Sequence, residues 1–342
     1  DQVLAATSLS SPTAMFFKGY LAFRHNDNAE ARAALSRTSG GSADITGRAR
    51  FLLGEIAYAE FRAVGTKSDL AATLDANVKA LAAVDAAFKP VVEGGDARWS
   101  MAGLARVADA NAKFGVLLRG LELPASLPEQ DKQKLRAALE AQAAAADKRS
   151  AELRTACANQ ARRAGLFSDA AKSCLTNQPL SDSTPMYKEA VARTGGDPPG
   201  AAALQKALLK NARDIDALLK LSELHLAAGN AGIALLLLER AEQVGSRRAA
   251  VENLRGLTYY QLNDPQEAAA AFKEAVATDP SEPHWHLNLA AHCAAFGQID
   301  LARAELQKSG AVPTSPRGPS DHPDISLLGQ VRTDKKSPRG AP

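Results

Sequence analysis

Three groups of residues in this chain have the types and spacing that chemistry could use. The first is His284, His286 and His292, since imidazole is the commonest protein ligand for transition metals. On a helix only residues three or four apart share a face, so His284 and His286 point in different directions. No His-x-x-x-His pair occurs, and Asn288 stands where a second ligand beside His284 would be needed. The three read as surface or groove histidines, and no metal or other cofactor is expected. The second group is acidic: Asp109 with Asn111, and Glu140 with Asp147. These read as solvated helix faces rather than an acid–base pair. The glycine-rich pieces Ser39-Gly40-Gly41-Ser42 and Gly94-Gly95 follow no strand, so they imply no phosphate-cradling loop. No nucleophile, base and orienting group come together, so no catalytic residue is expected and the chain reads as non-enzymatic.

The third group is Cys157, Cys174 and Cys293, too few for a disulfide scaffold and without Cys-x-x-Cys metal spacing. The midpoint between Cys157 and Cys174 falls at Gly165-Leu166, where a helical chain must turn. Residues equidistant from the turn of an antiparallel helix pair face each other, which brings their Cα atoms near the roughly 5.5–6 Å that a disulfide prefers. A Cys157–Cys174 bond is therefore expected, given an oxidising compartment; the alternative is a pair of reduced, buried small side chains. Cys293 has no such partner and is expected to stay free.

The elements that must position these residues are helices. The chain has 342 residues, 46% apolar and 5% aromatic, with net charge +3. It is rich in alanine, the strongest helix former, and poor in the β-branched and aromatic runs that build strands. The longest apolar run, Ile233 to Leu238, is far shorter than the roughly 20 residues of a membrane span. Mixed charges give no case for a nucleic-acid partner. From Pro313 to Pro342 the chain carries six prolines and the piece Ser-Pro-Arg-Gly twice, so 313–342 reads as a disordered tail.

Internal repetition organises the rest. Gly256, Tyr259, Ala268, Phe272 and Ala275 are echoed 34 residues earlier by Ser222, His225, Ala234, Leu238 and Ala241. They are echoed 34 residues later by Ala290, Cys293, Ala302, Leu306 and Ser309. Gly229-Asn230, Asn263-Asp264 and Gly297-Gln298 punctuate the units, so each is helix, tight turn, helix. Gly256 and Ala268 lie equally far from the turn, so small residues face each other where the helices cross. The frame extends upstream to Ser181 through Tyr187, Gly195, Leu204 and Ala207, and a related spacing recurs at Gly19, Ala31 and Leu35 and again at Gly54. Long helices are expected at about 68–88, 101–121 and 129–164.

The segment Asn253-Leu254-Arg255-Gly256-Leu257-Thr258-Tyr259-Tyr260, followed by Glu267-Ala268, Ala275 and Asp279-Pro280, resembles the tetratricopeptide repeat family. Glu252 stands where that family places a tryptophan. The resemblance implies an all-α solenoid, here of about seven helix pairs, with a divergent region over 1–180 and a regular array over 181–312. It also implies a protein partner held on the inner faces of the first helices, at Leu219, Glu223, Leu226, Asn253, Leu257, Tyr260, His284 and Leu287. Those faces carry no lysine pair for a C-terminal carboxylate and read as an apolar groove with a few polar handles; the same leucines could instead simply pack repeat against repeat. A second resemblance covers Val107 through Phe114, the Pro124–Pro128 loop, Leu139–Lys148 and Ala170–Pro179. That stretch is similar to a module of large envelope-associated repeat proteins of deltaproteobacteria, some of them lipoproteins of the adventurous gliding-motility machine. It implies a scaffold in a bacterial cell envelope, periplasmic or at the outer membrane, with a lipid anchor upstream of Asp1. The alternatives are a cytoplasmic adaptor or assembly cochaperone, and a non-catalytic regulatory domain of a larger enzyme.

Overall fold

The computed structural model describes residues 11–65, 69–181, 196–245 and 247–310. Among them there are fourteen α-helices and no strand. The chain divides into two compact units, Asp1–Thr184 and Pro185–Pro342. The first contains α1 (Pro12–Arg24), α2 (Asn28–Leu35), α3 (Ala43–Ala63), α4 (Leu70–Val92), α5 (Ala97–Gly120), α6 (Glu129–Ala164) and α7 (Asp169–Thr176). The second contains α8 (Ala201–Lys210), α9 (Ile215–Ala227), α10 (Ala231–Val244), α11 (Arg248–Gln261), α12 (Pro265–Thr278), α13 (Pro283–Ala295) and α14 (Ile299–Ser309). Consecutive helices pack as antiparallel hairpins, α1 with α2 through α5 with α6, then α9 with α10, α11 with α12 and α13 with α14; α7 lies on α6, and α8 on α9.

Short polar side chains start most of these helices, because the first backbone amides of a helix have no carbonyl within it. Ser11, Asp27, Ser42, Asp69, Ser168, Asp214 and Asp264 each accept a hydrogen bond from the amide three residues on. Pro12, Pro265 and Pro283 follow in the first turn, where the missing N–H is not needed. Gly165 ends α6 at φ +59°, a backbone region that glycine enters without strain. The 36 residues of α6 make a rod of about 54 Å. The helix expected to stop before Pro90 runs on to Val92. Pro90 lies in the last turn, where few intrahelical bonds remain to be broken, and its carbonyl accepts from Arg50 Nη1 at 3.3 Å.

The hairpins close on one recurring device. A Cβ added to Gly256 would lie 2.5 Å from the ring of Phe272, and one added to Gly19 would lie 2.6 Å from Leu35 Cγ. Both large residues stand sixteen positions beyond their glycine. Gly54 does the same for Phe88, with a would-be Cβ 2.5 Å from the ring. Phe272, Leu35 and Phe88 are fully buried, so each glycine admits a large side chain onto the facing helix backbone. Ala268 and Ala275 on α12 are sealed in the same hairpin, and Ala234, Ala241 and Ala302 are equally buried on α10 and α14.

The first unit also buries charge. Asp109, expected on a solvated face, is 3% exposed, and Asn111 is buried as well. The face that would have been solvated is covered by α6 and by the segment after α7. Arg106 is completely buried and grips Glu55 in two bonds, at 2.6 and 2.9 Å. Arg154 Nη2 donates to Asp109 Oδ1 at 2.5 Å, and Arg106 lies 3.6 Å from Asp109. Two cations and two anions thus neutralise one another. By contrast Glu140 and Asp147 are exposed, and both receive bonds from Arg119.

Ala268 has no exposed surface. Ala268→Leu is expected to overpack the α11–α12 hairpin and lower stability by about 1–3 kcal/mol in urea unfolding. An unchanged midpoint would contradict the hairpin packing.

Candidate interaction groove

The second unit carries a cavity of about 810 Å³ over α9, α11 and α13. It is lined by Asp216, Leu219, Lys220 and Glu223 from α9, by Arg248, Ala249, Ala250, Asn253, Leu254 and Leu257 from α11, and by His284, Trp285 and Asn288 from α13. Arg247, Thr278, Asp279 and Glu282 complete the rim. Successive first helices contribute side by side here, with Asn288 on α13 lying 35 residues after Asn253 on α11.

Five of the residues expected in the groove line it: Leu219, Glu223, Asn253, Leu257 and His284. Leu226 does not; it is 3% exposed, and its carbonyl accepts from Gln261 Nε2 at 3.1 Å. Tyr260, near the end of α11, is half-buried with its ring edge-on to His292 at 6.0 Å. Leu287 is half-buried and also lies outside the lining. The groove mixes apolar and polar surface: Ala249, Ala250, Leu254 and Trp285 line it beside Asp216, Lys220, Glu223 and Arg248. Leu219, Leu226 and Leu257 turn nearly all their surface into repeat packing.

Those charges are largely paired. Arg247 pairs with Asp216, and Arg248 Nη2 lies 2.7 Å from Glu274. Glu282 Oε1 accepts from the His284 backbone amide at 3.2 Å and lies 2.6 Å from Nδ1 of the same residue. These bonds hold the Glu282 carboxyl below its ordinary range. On the floor, Asn288 Nδ2 donates to Asn253 Oδ1 at 2.7 Å, with both residues buried. That bond fixes both amides. It leaves Asn253 an NH₂ group and Asn288 a carbonyl oxygen, the complementary pair that a peptide group in an extended chain can satisfy. At the position where the resembling family carries tryptophan, Glu252 is buried; burial raises its pKa against the pull of Arg255, 3.2 Å away.

The other histidines are structural. His286 is 3% exposed, with Nδ1 2.7 Å from Glu305 Oε2 and Nε2 3.0 Å from the Pro280 carbonyl. His292 has no exposed surface and stands among Tyr260, Phe272 and Phe296, its Nε2 2.9 Å from the Pro265 carbonyl. Both were expected at the surface or in the groove. Their burial comes from α12 and α14, whose approach the spacing of histidines in one helix does not reveal. Among the described residues, no group of three or more His, Cys, Asp or Glu is placed to hold a metal ion. No described helix is long and apolar enough to cross a membrane.

In the first unit Cys157 and Cys174 are bonded, with Cα atoms 5.8 Å apart, so the bond ties α7 to α6. Cys293 is a free, buried thiol, which burial raises to about 12.

A tetratricopeptide repeat family model matches residues 253–316. No curated protein matches the chain. The matched segment opens at Asn253 on the groove floor and takes in both α11–α12 and α13–α14.

Burial lowers the His292 pKa to about 4, more than the Pro265 carbonyl raises it. The unfolded chain therefore takes up this proton first as pH falls. Stability is expected to drop between about pH 6.5 and 4, by up to about 3 kcal/mol from this residue. A denaturant series across that range should show a shallower slope for His292→Phe; an unchanged slope would contradict the assignment. Over residues 253–316 the helix hairpins and the family match agree on a tetratricopeptide-like repeat.

Proposed function

We propose that this chain is a non-enzymatic protein-interaction scaffold whose groove over α9, α11 and α13 holds an extended segment of a protein partner. The observation that carries the reading is the Asn253–Asn288 pair on the floor of that groove, which offers one donor and one acceptor to a peptide backbone. Charged side chains such as Lys220, Glu223 and Arg248 stand beside apolar ones on the walls and add selectivity for the partner's side chains. Tetratricopeptide repeats suggest protein partners in general, and the match covers most of the groove's α11 and α13 walls.

The finer reading places the scaffold in a bacterial cell-envelope assembly, of the gliding-motility kind. Two observations support it. The Cys157–Cys174 bond suits an oxidising compartment. The stretch from Val107 to Pro179, which forms the α5–α6–α7 assembly, is the part that resembles envelope repeat proteins.

The test is retention of native membrane proteins by the immobilised chain after crosslinking. Asn253→Ala with Asn288→Ala is expected to cut retention at least about tenfold, as two lost backbone hydrogen bonds imply, with helicity unchanged. Full retention by the double variant would remove the groove from the account. Recovery of soluble chaperones instead of envelope proteins would overturn the location.

A further inference from the structure

Two features of the first unit act on the same short stretch. The first is the Cys157–Cys174 bond, which anchors α7. The second is the buried charge quartet, which grips the backbone just after α7. Arg154 Nη1 donates to the Gln178 carbonyl at 2.8 Å, and Ser173 Oγ to the same oxygen at 2.6 Å. Arg106 donates to the carbonyls of Leu180 and Ser181 at 2.9 and 3.0 Å. The Leu180 amide donates in return to Asp109 Oδ2 at 2.9 Å. Residues 178–181 thus form a strap over buried charges, with Leu180 itself 3% exposed.

The helix leading into this strap is weakly held without its covalent tie. It has only eight residues, fewer than an isolated helix needs to persist. It buries only small side chains, Ala170, Ala171, Ser173 and Cys174. The quartet, by contrast, does not need the strap for its charge balance. Glu55 with Arg106 and Asp109 with Arg154 are complete pairs, and water can replace the backbone groups once the strap leaves. Losing α7 and the strap together is therefore a much smaller event than unfolding the α3–α6 core.

We propose that the Cys157–Cys174 bond is a redox latch: oxidised, it keeps α7 and the 178–181 strap docked over the Arg106–Asp109–Arg154 cluster; reduced, it releases them locally. A dithiol reductant supplies two electrons and two protons. Its thiolate attacks Cys174, the less buried of the two residues, and Cys157 leaves as a thiolate that is then protonated. The second reductant thiol resolves the mixed disulfide and frees Cys174 as a thiol, while the reductant closes to its cyclic disulfide. The proposal concerns this unit alone and stands apart from the groove.

Hydrogen exchange of the full chain tests it, in a Cys293→Ala background so that no third thiol takes part. Oxidised protein is compared with protein reduced by excess dithiothreitol and with Cys157→Ala/Cys174→Ala. Exchange over 166–181 is expected to speed up about 100-fold on reduction, as the loss of a tether of this loop length implies. Exchange over 97–120 and 215–309 is expected to stay unchanged. In oxidised protein, Asp109→Asn is expected to speed exchange at 178–181 while 169–174 stay protected. Unchanged protection over 166–181 after complete reduction would overturn the proposal. So would loss of protection throughout 12–164, which would make the bond a staple of the whole unit.

Discussion

The absence of a side chain at Gly256, and the filling of that space by Phe272, sets how closely α11 and α12 approach. Dispersion forces fall off steeply with separation, so a hairpin held one methyl group further apart would lose contact along its whole length. The close approach also fixes rotation. With the Phe272 ring seated on the α11 backbone at Gly256, the rotation of α11 about its axis is set, and with it the placement of Asn253 one turn earlier. The groove is thus a consequence of hairpin closure. Gly19 with Leu35 and Gly54 with Phe88 show the same device in the first unit, outside the residues that the family model matches. The contact is a packing solution for paired helices, and it persists where the rest of the repeat pattern has drifted.

The two units spend buried polarity differently. In the second unit some buried polar side chains join neighbouring helix pairs by single hydrogen bonds, such as Asn253 to Asn288 and His292 to the Pro265 carbonyl. In the first, four full charges sit together. Burial raises the Asp109 pKa, and the Leu180 amide, Arg154 and Arg106 oppose that rise. A buried quartet of this kind adds little net stability but strongly penalises alternative packings that leave one member unpaired. It suits a region where helix lengths are irregular, from the 36 residues of α6 to the eight of α7, and where a repeating sequence no longer specifies the register.

What the sequence revealed follows what one-dimensional spacing can encode. Period and turn chemistry expose helices and their partners, so the all-α hairpin fold and the proximity of Cys157 to Cys174 were both legible. A turn at Gly165 places the two cysteines opposite each other whatever else surrounds them. Spacing cannot say which outward face another element will cover. Asp109 looked solvated because its cover, residues 178–181, lies about seventy residues away in the chain. His286 and His292 looked exposed because Glu305 on α14 and Phe272 on α12, not their own helix, enclose them. Leu226 read as a groove residue because spacing does not show that neighbouring helices cover it.

If the glycine–aromatic contact governs hairpin closure, its two halves must be energetically coupled. The direct measurement is a double-mutant cycle in urea on Gly256→Ala and Phe272→Leu. The account predicts that Gly256→Ala alone costs about 1–3 kcal/mol by forcing the ring off the helix, and that most of this cost disappears in the Phe272→Leu background. Equal costs of Gly256→Ala in both backgrounds would mean that the glycine acts through helix propensity alone, and would contradict the account.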